Sequence, residues 1–341
     1  MTQHQHIECV EPTVQRHGHQ LVVFQRAEVK RSARTVHQCA PLQPRLPEIS
    51  GEARAGRRLW DTASMPLVDP GPIIAQAHER GLAVIGANVS TIQMVRGVVR
   101  AAEDAQRPVL IQFNRSGLSL IGGVNVAAVV VKSVAEDSEA EIALHLDHAD
   151  TLDELSAAIN AGFGSVMIDG STLSFDQHLT LAQSAKGLVT WSRLPLEAEL
   201  GHVAGDEAGV TIGDASWTDP DEAARFVEAT GVDWLAVAVG NTHGGPAVGG
   251  LQAERLRAIR DAVSIPLVLH GASGLTEDEI QAAVNLGVAK INVGTALHQA
   301  AASAMGEWLA GHPSDLRGAL SLAEKRVNES VLALLNAPWA K

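Results

Sequence analysis

A chain of 341 residues, 46% of them hydrophobic and 31 of them glycine, can form one large α/β barrel or two smaller domains, and its composition excludes a disordered polymer. No run of 18 apolar residues occurs and no apolar stretch marks the N-terminus, so neither a membrane span nor a secretory leader is expected. Residues 1–65 carry nine Lys/Arg against six Asp/Glu, while the rest carries 17 against 33. That acidic body argues against nucleic acid as a partner, because backbone binding rests on cationic neutralisation of phosphates.

The opening segment holds five of the 14 histidines and shows no sustained period of 2 or 3.6; its only ordered-looking run is LVVF at 21–24. Residues 1–64 are therefore expected to form a disordered extension, with a domain of residues 65–341 opening at Met65. His4, His6, His17 and His19 are read as part of a polar tail. Both cysteines, Cys9 and Cys39, lie in this tail, so the body has no disulfide framework and a cytoplasmic location is expected.

From Met65 onward, strand-like runs alternate with helical ones. LAVIGANV (82–89) precedes TIQMVRGVVRAAEDA, and PVLIQFN (108–114) precedes VNVAAVVVKSVAEDS. IALHLDHA (142–149) precedes TLDELSAAINAG, in which Thr151 and Glu154 form a capping box and Gly162 a stop. SVMIDG (165–170) precedes a helix starting near Ser174; PLEAELG (195–201), WLAVAVGN (234–241), IPLVLHG (265–271) and AKINVGT (289–295) follow, with helices between them. Near-continuous apolar runs suit parallel strands covered on both faces, and eight such units predict a (β/α)8 TIM barrel. An open doubly wound sheet is the competing architecture, weakened because no G-x-G-x-x-G follows the first strand. The last amphipathic segment, 314–335, is expected as an extra C-terminal helix packed outside the barrel or against a partner subunit.

Polar residues gather at the ends of these runs. In chain order the strand ends offer Asn88; Asn114; Asp147 and His148; Asp169; Glu197 and Glu199; Asn241 and His243; His270; and Asn292 and Thr295. In such a barrel, active-site groups come from the C-terminal ends of strands. His148, His243 and His270 together form a three-imidazole set that leaves positions open for substrate, which suits catalytic zinc. In a regular strand His148 would share a face with Leu146, and Asp147 with His145. If that regularity breaks at the rim, both His148 and Asp147 address the mouth, and Asp147 becomes the candidate proton donor or acceptor. His145 lies deeper and is read as structural, and His202 is left open. His78, His178, His298 and His312 fall on helices or loops and are read as solvated.

The motifs HLDHADTLDE, SVMIDGS, LEAELGHVAG, VGNTHGG, PLVLHGASG and KINVGTAL resemble those of the class II, zinc-dependent ketose-bisphosphate aldolases, over roughly residues 65–310. The resemblance implies reversible cleavage of a fructose- or tagatose-type ketose 1,6-bisphosphate into dihydroxyacetone phosphate and glyceraldehyde 3-phosphate, through a metal-stabilised ene-diolate. It matches His148, His243 and His270 to the zinc ligands and Asp147 to the acid/base residue at the C4 oxygen. Of the pair Asp206 and Glu207, Glu207 matches the mobile-loop acid at C3; Asp169 and Glu199 match acids beside the metal. Gly244, Gly271, Ser273, Asn292 and Thr295, with Asn88, match the substrate and phosphate site, where a monovalent cation (Na+ or K+) is also implied. A homodimer or larger homo-oligomer acting on a small sugar phosphate is the implied assembly. No Schiff-base lysine is apparent on the strands.

Two departures bear on the substrate. GGPAVGG follows His243 where the family usually has a loop with an aromatic and a lysine. Gly294 replaces a common acid, which leans toward tagatose-type or other sugar-phosphate members. The stretch NRSGLSLIGG (114–123) has no family counterpart either and is a candidate part of the aldehyde pocket. The alternatives are an aldolase of another phosphorylated sugar or sugar acid, a zinc-dependent barrel hydrolase, and a non-catalytic barrel that assists an aldolase. The run LAVIGANV lacks the H-x-H of the hydrolases, and an assisting barrel would have lost its ligand histidines.

Overall fold

The computed structural model describes residues 67–203, 205–207, 210–212, 216–244 and 250–340. The expected extension over 1–64, with its histidines and both cysteines, lies outside the described residues. The first half of the described chain runs α1 (Pro70–Arg80), β1 (Val84–Asn88), α2 (Ile92–Ala105), β2 (Val109–Phe113), α3 (Arg115–Ile121), α4 (Val124–Ala135), β3 (Ile142–Ala149) and α5 (Leu152–Ala161). Next come β4 (Ser165–Ile168), α6 (Phe175–Ser192), β5 (Leu196–Leu200), β6 (Gly205–Glu207), β7 (Val210–Ile212) and α7 (Pro220–Thr230). The last part holds β8 (Trp234–Val237), α8 (Ala253–Ala262), β9 (Leu267–Leu269), α9 (Glu277–Asn285), β10 (Val288–Val293), α10 (Thr295–Gly311) and α11 (Leu316–Leu335).

Eight strands close a barrel in the order β1-β10-β9-β8-β5-β4-β3-β2, all neighbours parallel. The protein is thus a (β/α)8 barrel, and the open sheet is excluded. Closure follows from apolar strands covered on both sides. Ile85, Ile111, Leu144, Val166, Ala198 and Leu235 belong to the core between sheet and helices. Their alternates Val84, Leu110, Ala143, Trp234 and Val268 meet inside the barrel. The helix start at Thr151 and its stop at Gly162 are as the sequence predicts, with the capping box formed.

Three elements go beyond the sequence reading. Helix α1 precedes the first strand: Asp69 caps it, Pro70 opens it, and Gly81 closes it. Its Ile74 and Ala77 pack on the inward residues at the N-terminal end of the barrel and close that mouth. Helix α3 occupies the segment after β2, with Asn114 Oδ1 accepting from Gly117 N, so Asn114 is a helix cap. The hairpin β6–β7 follows β5. The extra C-terminal helix, α11, packs on α2 and α10 of its own chain. Among the described residues no single helix is long and apolar enough to cross a membrane.

Candidate active site

The interior of the barrel changes character along its axis. Above the apolar floor come Gln112, His145, Glu197 and Lys290, all fully buried, and above them Asn88, Asp147, Glu199, His270 and Asn292. Alternation of side chains across each strand puts every second residue in one of these layers.

Strand β3 delivers two site residues because it stops being regular. The pairing of β3 with β4 shifts between Leu146 and Ala149, and His148 has φ +50, a left-handed conformation unusual for a side-chain-bearing residue. Asp147 keeps the inward face shared with His145, while the kink turns His148 away from the Leu146 face to the mouth. The local distortion is thus the irregularity on which the sequence reading depended.

His148, Glu199, His243 and His270 bring one ligand atom each to within 4.8 Å of one another. The three rings meet edge to face, with centroids 4.7 Å apart for His148 and His270, 5.8 Å for His148 and His243, and 6.0 Å for His243 and His270. His148, His270 and Glu199 are held from behind. His148 Nδ1 pairs with Asp169 Oδ2 at 2.7 Å, and Ser171 N donates to Asp169 Oδ1. His270 Nε2 pairs with Glu197 Oε1 at 2.9 Å. Asn241 Nδ2 donates to the His270 carbonyl and Asn241 Oδ1 accepts from Val239 N, which ties the ends of β8 and β9 together. Glu199 Oε1 accepts from Val203 N.

The donor set fits a divalent transition metal. His270 Nδ1 and Glu199 Oε2 are buried and 3.2 Å apart, yet neither makes a hydrogen bond of good geometry. Buried polar atoms are rarely left so, and three imidazoles with one carboxylate form a zinc-type ligand set. The electrostatics agree. Burial and the neighbouring imidazoles of His148 and His270 push His243 down to about 4, so it is a neutral ligand. Burial opposes charge on His270, but its hydrogen bond to Glu197 and the close Glu199 carboxylate outweigh this and raise it to about 9. A cation held at His270 Nδ1 beside Glu199 would take the place of a proton there.

Asp147 is held between two amides. Asn88 Nδ2 donates to its Oδ2 at 2.5 Å and Asn292 Nδ2 to its Oδ1 at 3.0 Å, while Gln112 Nε2 donates to Asn88 Oδ1. Burial raises its pKa, but His148, His270 and Lys290 outweigh burial and hold it at about 2. Asn88 and Asn292, matched by resemblance to the phosphate site, here address the Asp147 carboxylate.

The other candidates fall as follows. Asp169 is engaged by His148 and lies outside the four-residue cluster. Gly271 has φ +55, and a Cβ there would come within 2.6 Å of the Thr242 backbone, so the turn itself demands glycine. Ser273 lies in a short 3-10 turn after β9, and Thr295 opens α10. Gly244, next to His243, has φ +70. Glu207 lies in β6, whose first residue, Gly205, bridges to His243; its side chain, like residues 245–249, lies outside the described residues.

One residue was not singled out and one expectation needs correction. Lys290 of β10 is fully buried with its Nζ 2.7 Å from Glu197 Oε2. Its place two residues before Asn292, on the same face, was the available signal. His178 is buried against Phe226, with ring centroids 4.6 Å apart, so it is no solvated residue. His145 Nδ1 pairs with Ser165 Oγ in the interior, and His202 Nδ1 with Ser171 Oγ beside Asp169.

The family described as class II fructose-bisphosphate aldolase matches residues 69–337. A probable fructose-bisphosphate aldolase of Bacillus subtilis (strain 168) is 34% identical over 274 residues, 79% of this chain and 96% of that protein. The crystal structure of the YdjI aldolase from Escherichia coli K12 superposes with a TM-score of 0.71 at 34% identity, covering 81% of this chain and all of that one. A putative fructose-1,6-bisphosphate aldolase from Coccidioides immitis gives a TM-score of 0.71 at 29% identity, over 78% of this chain and 94% of that one. The hydrolase and non-catalytic readings give way to a lyase: the chain belongs to the class II fructose-bisphosphate aldolase family.

Proposed function

We propose that this enzyme reversibly cleaves a ketose 1,6-bisphosphate to dihydroxyacetone phosphate and glyceraldehyde 3-phosphate, with zinc as its cofactor. The observation that carries the reading is the convergence of His148, Glu199, His243 and His270 within 4.8 Å. These residues would hold the ion, with Asp169 orienting His148 rather than binding metal itself. Bound there, the cation supplies a positive charge beside the ketose carbonyl, the Lewis-acid role that makes charge development next to it affordable.

The remaining steps belong to the chain's own groups. Asp147, ionised and clamped by Asn88 and Asn292, accepts the C4 hydroxyl proton in the cleavage direction and returns it in synthesis. Glu207 on the β6–β7 hairpin moves the proton at C3, and the Gly205–His243 bridge supports this by rooting the hairpin beside a metal ligand. Gly244, Gly271, Ser273 and Thr295 lie where turns and the start of α10 present backbone amides to a phosphate, with a monovalent cation (Na+ or K+) nearby. A Cβ at residue 294 would come within 3.2 Å of Asn88 Cβ, so glycine there leaves room for the Asn88–Asp147 pair; its standing where the family commonly has an acid is what favours a tagatose-type or related substrate. The reading includes a cytoplasmic homo-oligomer. Exposed Leu120, Val126 and Val129 on α3 and α4 support association, and residues 67–340 contain no cysteine.

The test is cleavage of fructose- and tagatose-1,6-bisphosphate by metal-stripped and zinc-reconstituted enzyme. Stripping should abolish cleavage and zinc should restore it, while borohydride added with substrate should leave activity intact. Activity that survives complete metal removal, or a trapped lysine adduct, overturns the proposal.

A further inference from the structure

Beneath the four metal-site residues lies a charged layer that the proposed chemistry does not touch. Glu197 of β5 and Lys290 of β10 both have zero solvent exposure, and Lys290 Nζ donates to Glu197 Oε2 at 2.7 Å. The second carboxylate oxygen, Oε1, meets His270 Nε2 at 2.9 Å. His145 Nε2 stands 3.6 Å from Oε2, with its other ring nitrogen engaged by Ser165 Oγ. These side chains are sealed from bulk solvent, so each charge among them is costly unless a buried partner meets it.

A buried ion pair is a poor stabilising device, because well-packed apolar residues of the same size commonly do as well or better. Its retention here calls for another account. The carboxylate is bidentate in use: one oxygen is occupied by a cation that fixes it in place, and the other by a single nitrogen of one imidazole. With Nε2 of His270 engaged, Nδ1 is the atom turned toward Glu199 and the other imidazoles. The backbone of His270 is already fixed by the Asn241 amide on its carbonyl. What is left to determine is the ring's rotation and tautomer.

We propose that Glu197, anchored by Lys290, is a positioning pair that locks His270 with Nδ1 facing the metal, and so sets the affinity of the site for its ion. The inference rests on the metal-site reading above and adds two residues that touch neither ion nor substrate. It assigns the buried lysine an anchoring role, distinct from carbonyl chemistry. Outer partners of this kind commonly tune metal affinity by about 10–100-fold.

The experiment compares the full chain with Glu197→Gln, Lys290→Met and the double variant, by zinc titration against a competing chelator and by thermal melting of the metal-free proteins. Each single variant should bind zinc about 10–100-fold more weakly and also melt lower when metal-free. The double variant removes both charges while keeping the shape, so its metal-free melting temperature should recover toward that of the unaltered protein. Its zinc affinity should not recover. Nitrogen NMR of His270 in the zinc-loaded forms should show Nδ1 as the single ligating nitrogen in the unaltered protein and a mixture of Nδ1 and Nε2 ligation in the variants. A double variant that binds zinc as tightly as the unaltered protein overturns the proposal, as do single variants with unchanged affinity. An unaltered chain that binds no zinc brings down the metal-site reading and this inference together; unchanged variants bring down this inference alone.

Discussion

The two ends of the barrel are built from the same eight strands and differ almost completely in what they bury. At the N-terminal end Val84, Leu110, Ala143, Trp234 and Val268 meet Ile74 and Ala77 of α1, and the mouth is shut by apolar packing. Further along the barrel axis the interior turns to Gln112, His145, Glu197 and Lys290, and then to the imidazoles and acids of the rim. Stability and chemistry are therefore separated along one axis, by distance rather than by domain. A substitution at one end should leave the other end's property nearly intact.

The largest effect tests the rim. Replacing His148 by Ala removes one ligand and frees Asp169, so zinc stoichiometry should fall and kcat/KM should drop by at least about 10³-fold. The metal-free protein should melt near its ordinary temperature, since His148 is a kinked, partly exposed residue outside the apolar clusters. Metal analysis, steady-state kinetics and calorimetry on one preparation decide the matter. A variant that keeps its zinc and most of its activity would show that the imidazole cluster is not the metal centre.

Much of this division could be read in the sequence, and the parts that could not have physical reasons. The barrel was legible because apolar runs repeat eight times, and the site because His148, His243 and His270 interrupt such runs near their ends. Helix α1 was not, because its buried face is carried by few residues, Pro70, Ile74 and Ala77 among them, and its stripe is weak beside the strands that follow. The kink at His148 was legible only as a condition: one positive φ decides whether two neighbouring side chains share a mouth, and periodicity carries no record of it. The convergence of Asn88 and Asn292 on Asp147 was hidden for a related reason. A strand-end amide serves a phosphate and a carboxylate equally well, and the sequence carries no record of which partner it meets. Lys290 stayed unseen because its partner Glu197 is 93 residues away in the chain.

At the floor the comparison predicts the opposite pattern. Ile74→Ala takes a fully buried side chain out of the cluster that closes the barrel, which should cost about 2–5 kcal/mol of stability. Denaturant unfolding measures that loss. The zinc content and kcat/KM of the folded fraction should be unchanged, since Ile74 lies on α1 and not on a strand that reaches the rim. A parallel fall in zinc affinity would mean that the ends are mechanically coupled, and the separation along the axis would not hold.

The smallest effect concerns the cap of that same helix. Asp69 Oδ1 accepts from Gly71 N at 2.9 Å, one of the amides that a helix start leaves without an internal partner. Losing a cap typically costs about 1 kcal/mol, which for a chain of this size shifts the melting temperature by about 2–4 °C. Pro70 at the first helical position limits the damage, since it has no amide hydrogen to leave unsatisfied and its φ is already helical. Asp69→Ala should therefore lower the melting temperature by a few degrees, Asp69→Asn by less, and both should leave zinc binding untouched. A loss as large as that of Ile74→Ala would show that the floor depends on the entry angle of α1 more than on the side chains it buries. Calorimetry of the three variants side by side separates the two contributions.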